Sequence, residues 1–261
     1  MSLDMLSKKN SHERDTRICF DEEPHIYTID GDSDYLSVTT WNHSHFANFN
    51  ADNIITNMMN SKNWKNSKYY GKTRDEIKDG WEINRDDAAR LGTKMHYDIE
   101  CYYNGMDVNN DSIEYNYFMR FVNDYPELVA YRTEWMIWDN ELRFAGSIDM
   151  VYENPDGTLM IYDWKRSKGI NKTSSFMKFS HTHCIDHIPD TNFWHYSLQL
   201  NTYKAIIEKN YGKKVTSLML VCLYPDNNSY QLIKVPDLSE EVNELFNLRK
   251  YIISIKNNTS N

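Results

Sequence analysis

Two acids and a lysine lie close together in the sequence, on either side of one strong turn signal. Asp149 ends the segment FAGSID, Asp163 and Lys165 lie in YDWK, and Asn-Pro-Asp-Gly at 154–157 separates the two segments. If this turn closes a β-hairpin, residues whose numbers sum to 312 face each other, which opposes the two carboxylates with Cβ atoms about 4.5 to 5.5 Å apart. Acids this close repel unless a cation lies between them, and oxygen ligands suit Mg²⁺ or Mn²⁺. The spacing therefore predicts a divalent-metal site.

Strand alternation puts Lys165 on the same face as Asp163, while Trp164 points the other way. The two acids and the lysine also fit a simpler arrangement, a salt-bridge cluster on an exposed sheet face, since exposed ion pairs are common and nearly neutral in energy. The apolar neighbours Ile148 and Ile161 indicate that the strands are largely buried, and buried acids are seldom left unpaired. From the spacing alone, both alternatives stay open.

Hydrophobic periodicity predicts the elements that position these residues. Alternating or continuous apolar runs predict strands around a turn between 17 and 40, and further strands at 130–138, 142–153, 159–165, 217–224 and 231–235. Apolar residues spaced by three or four predict helices at 51–60, 81–103, 115–125, 196–210 and 239–255. This order is typical of an α+β fold in which a sheet is flanked by helices.

Four short motifs between residues 92 and 203 resemble, in type and order, the signature of the PD-(D/E)XK nuclease superfamily. GTKMHYDIE at 92–100 resembles the G-x-x-x-H-x-x-(I/L)-E helix of its RecB-like exonuclease branch, and QLNTY at 199–203 resembles the Q-x-x-x-Y helix. GSID at 146–149 and DWK at 163–165 resemble the central signature, with Asp in place of the commoner Glu. Within this branch, the overall character of the sequence resembles the mitochondrial genome maintenance exonucleases and their viral or phage relatives. The resemblance implies a restriction-endonuclease-like α/β/α core with a mixed central sheet.

The resemblance also implies roles for individual residues. The expected metal ligands are His96, Asp149, Asp163 and the backbone carbonyl of Trp164. Lys165 is expected to position the attacking water or to neutralise charge on the phosphate. Gln199 and Tyr203 lie one helical turn apart, hence on one face, and are expected to hold the lysine or a DNA phosphate. Glu100, one turn from the ligand on its helix, is expected to support the site, and the expected cofactor is Mg²⁺ or Mn²⁺.

The cysteines bear on a second kind of cofactor. Some RecB-like exonucleases hold an iron–sulfur cluster with four cysteines, three of them close together near the C-terminus. Here Cys19, Cys101, Cys184 and Cys222 are scattered, and only the last lies near that end. We therefore expect no iron–sulfur cluster, and free thiols in a reducing compartment.

Charge and hydropathy limit the partners. The 261 residues carry a formal net charge of −9, which argues against indiscriminate binding of polyanions and leaves only local basic patches for nucleic acid. No apolar run approaches the roughly 20 residues of a membrane helix, and the first residues lack the apolar stretch of a secretory signal. We expect a soluble intracellular protein, in a viral, nuclear or mitochondrial context that the sequence leaves undecided, without membrane association and without an obligate protein partner.

The length suits one domain with an elaboration. The first residues are polar and aperiodic, so we expect a disordered tail at 1–16. An N-terminal elaboration of strands plus a helix is expected at 17–85, and the nuclease core at 86–255.

Two basic runs, at 62–74 and 165–178, are candidates for binding the expected DNA. The first interleaves lysines with aromatic rings, a mixture that grips single strands by charge and stacking, and the second contains no acid. The candidate contact residues are Lys62, Trp64, Lys65, Lys68, Arg166, Lys168 and Lys172. For each run the alternative is an ordinary solvated surface.

A crowded stretch of histidines could bind zinc. His181, His183, Cys184 and His187 lie within seven positions. A solvated loop is the commoner case, because structural zinc sites usually draw two pairs of ligands from separated segments. Contact of the histidines with phosphate is another alternative, and His195 on the following helix is expected to be structural.

The sequence thus predicts a metal-dependent exonuclease that hydrolyses phosphodiester bonds, on single-stranded DNA or on single-stranded ends. One alternative is a catalytically weak or inactive nuclease-fold module that binds DNA ends, against which the retained Asp149, Asp163 and Lys165 argue. The other is a different metal hydrolase that uses the same acids, which the basic runs and the RecB-like motifs disfavour.

If the run at 62–74 grips single strands, Trp64→Ala will weaken binding of a single-stranded oligonucleotide by about 1 to 3 kcal/mol, the stacking range for one base. Binding will also fall steeply with salt, because phosphate contacts release counterions. Fluorescence anisotropy over a range of salt concentrations measures both effects. An unchanged affinity for single- and double-stranded oligonucleotides would assign the run to plain surface or core.

Overall fold

A mixed sheet of six strands forms the centre of the computed structural model, which describes residues 3–174 and 177–259. The strands are, in chain order, β1 (Ile18–Asp21), β2 (Ile26–Ile29), β3 (Leu36–Ser37), β4 (Val129–Asp139), β5 (Phe144–Glu153), β6 (Leu159–Lys165), β7 (Val215–Cys222) and β8 (Gln231–Lys234). β1 and β2 form a separate antiparallel hairpin. β5 pairs with β4 along one edge, and along the other with β3 at its start and with β6 at its end. β7 and β8 continue the sheet beyond β6.

Helices cover both faces of this sheet. They are α1 (Met5–Lys9), α2 (Val38–His43), α3 (Ala51–Met59), α4 (Arg74–Tyr103), α5 (Ile113–Asp124), α6 (Asn192–Asn210) and α7 (Ser239–Thr259). Side chains of α2, α6 and α7 form one apolar core with the sheet, and side chains of α4 and α5 form another on the opposite face. The predicted α+β class, with a mixed central sheet flanked by helices in an α/β/α core, is confirmed.

The turn between β5 and β6 has the register that the sequence predicts. Four residue pairs, whose numbers each sum to 312, join the strands, and the pair nearest the acids is Met150 with Tyr162. Gly157 in the turn takes a φ of +80°, which glycine adopts at no steric cost. The ladder ends one pair before Asp149 and Asp163. The two acids therefore stand where the strands begin to separate.

Strand alternation is interrupted beside Asp149. Ile148 packs in the core beneath α6, whereas Met150 packs in the core beneath α4 and α5, although an undisturbed strand would point both the same way. Across the ladder, Glu134 takes a φ of +41°, in the left-handed region that non-glycine residues rarely occupy. The pairs on either side place Glu134 opposite Asp149 in the register. The irregularity therefore falls on both strands at the same point.

The packing of α6 on β5 requires a glycine. The buried ring of Tyr203 lies directly over Gly146, the first residue of the GSID segment. A Cβ atom added to Gly146 would lie 2.7 Å from Tyr203 Cε1, well inside van der Waals contact. The absence of a side chain at this position thus sets how closely α6 approaches the sheet.

The expected disordered tail at 1–16 is corrected by the structure for its described part, residues 3–16, which folds against β4. Leu6 is buried, Asp15 pairs with Arg132 at 2.7 Å, and the Arg14 guanidinium lies 3.5 Å from the centre of the Trp138 ring. The segment has the polar, aperiodic composition of a tail. Its anchors, however, pair with groups more than a hundred residues away, which local composition does not reveal.

Two element boundaries also differ from expectation. The stretch from 17 to 40 contains the expected hairpin, but it continues into β3 and the helix α2. α4 begins at Arg74, before its predicted start, because Thr73 and Glu76 form a capping box in which each side chain accepts from the other's backbone N–H. The helix crosses the boundary expected between 85 and 86, and that division of the chain stays a prediction.

We expect Gly146→Ala to destabilise the protein by about 1 to 3 kcal/mol, because the buried Tyr203 ring has no room to retreat from the added methyl group. Gly80→Ala is the matched control. Gly80 lies inside α4 with nothing within 4 Å of an added Cβ, so alanine there should be neutral or stabilising by up to about 1 kcal/mol. Urea unfolding of both variants checks this, and equal stability would refute the close packing of α6 on β5.

Candidate metal centre

α4 brings a histidine to the point where β5 and β6 separate. His96 Nδ1 lies 3.6 Å from Asp149 Oδ2 and 3.8 Å from Glu134 Oε1, and His96 Nε2 lies 2.9 Å from the carbonyl oxygen of Trp164. One ligand atom from each of His96, Glu134 and Asp149 lies within 4.8 Å of the others. Two carboxylate oxygens and one imidazole nitrogen suit a divalent cation. These three residues form a candidate metal centre.

Glu134 was not found from the sequence. It belongs to β4, and Ser147 Oγ donates a hydrogen bond to its Oε2 at 3.0 Å. The available signal was an acid inside an apolar strand, RTEWMIW, where a carboxylate needs a partner. Left-handed backbone at a non-glycine residue costs on the order of 1 to 3 kcal/mol and clusters at functional sites. The φ of +41° at Glu134 therefore adds a backbone observation to the side-chain geometry.

The predicted ligands are only partly brought together. Asp149 Oδ2 accepts a hydrogen bond from Trp164 N at 3.0 Å and faces His96. Asp163 Oδ2 lies instead 2.7 Å from Lys165 Nζ, as an ion pair without hydrogen-bond alignment, and Asp163 is not one of the three grouped residues. Its role as a metal ligand stays a prediction, as does that of the Trp164 carbonyl.

Burial and mutual repulsion shape the charges of this centre. Burial raises the pKa of Asp163 to about 7 against the opposing effect of the Lys165 ammonium, and repulsion by Asp149 contributes to the rise. Burial disfavours a charged His96, but Asp149 and Glu134 outweigh that effect and raise its pKa to about 9. The cationic imidazole and ammonium thus balance the carboxylates. A divalent cation would take over that balance, since metal binding displaces protons from its ligands.

An aromatic ring holds the lysine from the other side. Lys165 Nζ lies 4.5 Å from the centre of the Tyr196 ring, within the range of a cation–π contact. Tyr196 was not predicted, although it precedes Gln199 by three residues and so shares its helix face. Gln199 Nε2 donates to Tyr203 OH at 3.2 Å, so this predicted pair does meet. Its contact with the lysine or with a phosphate stays a prediction.

The candidate metal centre opens into a cleft of about 720 Å³ between α4 and the β1–β2 hairpin. Glu100, which was expected to support the site, lines this cleft together with His96 and Glu134. Burial, and then repulsion by Glu134, raise the pKa of Glu100 to about 7. Phe20 and Tyr97 supply the aromatic part of the lining. The cleft is therefore acidic, and a phosphate would meet repulsion there without a cation.

The predicted DNA-binding residues do not line this cleft. Lys62, Lys65 and Lys68 are exposed on the connection between α3 and α4, where the half-buried Trp64 ring packs edge-on against Tyr70. Their contact with DNA stays a prediction.

The basic run after β6 divides into two kinds of residue. Lys168 and Lys172 are exposed. Arg166, however, is committed to an ion pair, with Nε 2.6 Å from Glu114 Oε1 and both side chains largely buried, so it ties β6 to α5. For Arg166 the structure favours a structural role over the predicted DNA contact.

The histidine-rich stretch does not gather into one site. His183 contacts Asp186 at 3.3 Å, and His187 contacts Glu241 at 3.2 Å. Within residues 3–174 and 177–259, the group of metal-binding side chains that meets is the one at the candidate metal centre. His195 pairs with Asp190 at 3.0 Å and packs on Phe46. The structure thus favours the solvated-loop alternative over a zinc site.

Comparisons with known proteins do not show a family for this chain. No protein-family model matches the chain, and no curated protein matches it. Among solved structures, that of SSO0001 is 13% identical with a TM-score of 0.37, covering 97% of this chain and 83% of that chain. The structure named "Putative exonuclease" from Eubacterium rectale is 12% identical with a TM-score of 0.30, covering 58% of this chain and 68% of that chain. Both scores lie below 0.5, so neither likeness carries weight for function. Among the described helices, none has the length and hydropathy to cross a membrane.

We expect Mg²⁺ to raise the melting temperature of the wild type. A ligand that binds only the folded state stabilises it by about 2.7 kcal/mol at a hundredfold excess over Kd, which corresponds to roughly 5 °C or more for a chain of this size. Asp149→Asn and Glu134→Gln each remove a charged ligand of the grouped set, so each should lose most of the response.

The matched control is Asp226→Asn, which removes an exposed acid in the loop between β7 and β8 and should respond like the wild type. Thermal melts of these four proteins and of Asp163→Asn, each with Mg²⁺ and with EDTA, give the comparison. A normal response in Glu134→Gln together with a lost response in Asp163→Asn would restore the ligand set predicted from the sequence.

Proposed function

We propose that the chain is a divalent-metal-dependent deoxyribonuclease of the PD-(D/E)XK type, an exonuclease that acts on single-stranded DNA or single-stranded ends. The observation that carries the proposal is that a fixed lysine lies next to a group of three residues that could bind a metal ion. The Lys165 ammonium is fixed between Asp163 and the Tyr196 ring, and the adjoining strands and α4 gather His96, Glu134 and Asp149. The order of the RecB-like motifs along the chain supports the same assignment.

The cofactor that this proposal implies is Mg²⁺ or Mn²⁺. A bound cation lowers the pKa of water and neutralises charge on phosphate oxygens. Glu134, Asp149 and His96 would hold it, with Asp163 and the carbonyl of Trp164 as further ligands implied by the resemblance.

The chain itself supplies a fixed positive charge. Lys165 is largely buried, with its side chain 17% exposed, so its ammonium acts where water screens it little. Asp163, Asp149 and Tyr196 raise the pKa of Lys165 against the effect of burial, which keeps it cationic. The ammonium would stabilise the charge that develops on the phosphate and orient the attacking water. Gln199, held by Tyr203, would position the lysine or the phosphate.

The charge distribution restricts the proposed DNA substrate to a defined route of entry. The net charge is −9 and the cleft is acidic, so phosphates have no general attraction to this protein. The exposed lysines of the two basic runs could guide a strand; they are Lys62, Lys65, Lys68, Lys168 and Lys172. The half-buried Trp64 ring among the first three suits unpaired bases.

One observation favours a second candidate function, the DNA-end-binding module without cleavage. Asp163 contacts Lys165 and does not join the grouped residues. Incubation with end-labelled single- and double-stranded DNA, with Mg²⁺ or EDTA, decides between the two candidates. Mg²⁺-dependent shortening of the single strand supports the exonuclease, and binding of ends that stay intact in Mg²⁺ as well as in EDTA supports the module.

We expect Lys165→Ala to abolish cleavage and to leave DNA binding within a few-fold of wild type. A single lysine makes a small contribution to binding that involves several phosphates, so its loss should weaken binding little. Lys165 is the lysine proposed to act at the reacting phosphate, so its loss should stop cleavage. Lys214→Ala, which removes an exposed lysine outside both basic runs, is the control and should retain cleavage. Gel assays of both variants give the answer, and near-normal cleavage by Lys165→Ala would overturn the catalytic assignment.

A further inference from the structure

A second concave surface lies beside the candidate metal centre. It is a groove of about 610 Å³ between the α2–α3 connection and the residues that lead into α6, and it shares no lining residue with the acidic cleft. The lining residues that matter here are Phe49, Asn53, Asn57, Lys178, Asp190 and His195. We call this surface the asparagine groove.

Phe49 presents an aromatic face to this groove that the protein leaves uncovered. Its ring is 73% exposed, an unusual state for so large an apolar side chain. The ring is nevertheless supported by an aromatic neighbour, since its centre lies 5.8 Å from that of the Trp81 ring in an edge-type contact, and Trp81 Nε1 donates to Tyr69 OH at 2.8 Å. A supported ring with one free face is a platform for stacking.

The polar lining offers hydrogen bonds that are not used within the protein. Asn53 and Asn57 lie one turn apart on α3, hence on one face, and within the described residues their side-chain amides make no hydrogen bond. An amide both donates and accepts, as the edge of a nucleobase does. The surface is therefore prepared for a flat polar group and not for an apolar one.

The lining of the groove carries no excess of negative charge, because it has one lysine and one carboxylate. Lys178 is exposed and makes no ion pair with any described residue, whereas the carboxylate of Asp190 is paired with His195 at 3.0 Å. The groove thus differs from the acidic cleft, because an anionic phosphate can approach it without a divalent cation.

Its position relates it to the candidate metal centre. His195 forms part of the wall, and the next residue, Tyr196, lies against the Lys165 ammonium. Consecutive Cα atoms are 3.8 Å apart, so the two sites adjoin across the first turn of α6. A strand with a phosphate at Lys165 would need to pass only this turn of the helix to reach the groove.

We propose that the asparagine groove holds one unpaired nucleobase of a DNA strand, stacked on Phe49, with Asn53 and Asn57 at its edge and Lys178 at an adjoining phosphate. This inference rests on the proposed function, because it takes DNA as the substrate. A base of a duplex can stack on the protein only after it has separated from its paired base and unstacked from the adjacent base. The groove therefore selects single-stranded DNA or an unpaired end.

The first test is binding without cleavage. Fluorescence anisotropy of a labelled single-stranded oligonucleotide, in EDTA, is expected to show affinity lowered by about 5- to 150-fold in Phe49→Ala, the range for the stacking of one base. Phe49→Tyr should retain affinity, because it keeps the ring. Ile83→Ala, which removes a side chain that is 63% exposed on α4 outside the groove, is the control and should bind like wild type.

The second test identifies the base. A series of oligonucleotides carries a single abasic site, which is placed at successive positions counted from the labelled end. At the position that occupies the groove, loss of the base and loss of the ring remove the same contact, so the two losses are not additive. Affinity losses that add at every position overturn the proposal, as does wild-type protein that binds no single strand or that is indifferent to Phe49→Ala.

Failure of the groove and failure of the nuclease assignment give different results. Mg²⁺-dependent cleavage with binding unaffected by Phe49→Ala rejects the groove alone. Binding that depends on Phe49, with no cleavage in Mg²⁺ or Mn²⁺, supports the groove and rejects the nuclease.

Discussion

Two buried carboxylates at the point where β5 and β6 separate set the conditions for the rest of the centre. An isolated charge in a protein interior is strongly unfavourable, so Asp149 and Asp163 must each be given a cation or a proton. Asp163 is given the Lys165 ammonium from its own strand. Asp149 is given the imidazole of His96, which only α4 can deliver. The position of α4 on the sheet is thus coupled to the charge state of β5.

The strand irregularity explains how His96, Glu134 and Asp149 come to face one another. Residues in a regular ladder have backbone partners on both sides and side chains that alternate between the two cores. Between β3 and β6 the edge of β5 is open, and alternation breaks at Asp149. The left-handed backbone at Glu134 places the break on both strands, and the carboxylate of Glu134 faces His96. A regular sheet would have buried these groups without a common point between them.

Under the proposed function, the two concave surfaces would divide the binding of a polyanion between them. The cleft at the metal centre concentrates carboxylates, so a phosphate is admitted there only with a cation. The asparagine groove carries amides, an exposed ring and a lysine that makes no ion pair with any described residue, so the proposed base and its phosphate would need no metal there. An acidic protein would in this way contact the proposed DNA substrate at a few points, while its remaining surface repels phosphates.

The sequence by itself determined what depends on neighbours along the chain. The turn at 154–157 fixed the register of β5 and β6, and strand alternation placed Lys165 beside Asp163 and Trp164 in the opposite core. These features follow from local geometry, since a two-residue period and a short turn leave few alternatives.

Tertiary structure alone decided what depends on contacts between distant segments. The approach of His96 to Asp149, the participation of Glu134, the Tyr196 ring on Lys165 and the ion pair of Arg166 with Glu114 each join elements that the sequence keeps well apart. The N-terminal segment is the same case, because its anchors on β4 are invisible in its own composition. Local patterns specify which way a side chain points, and the packing of helices on the sheet specifies what it meets there.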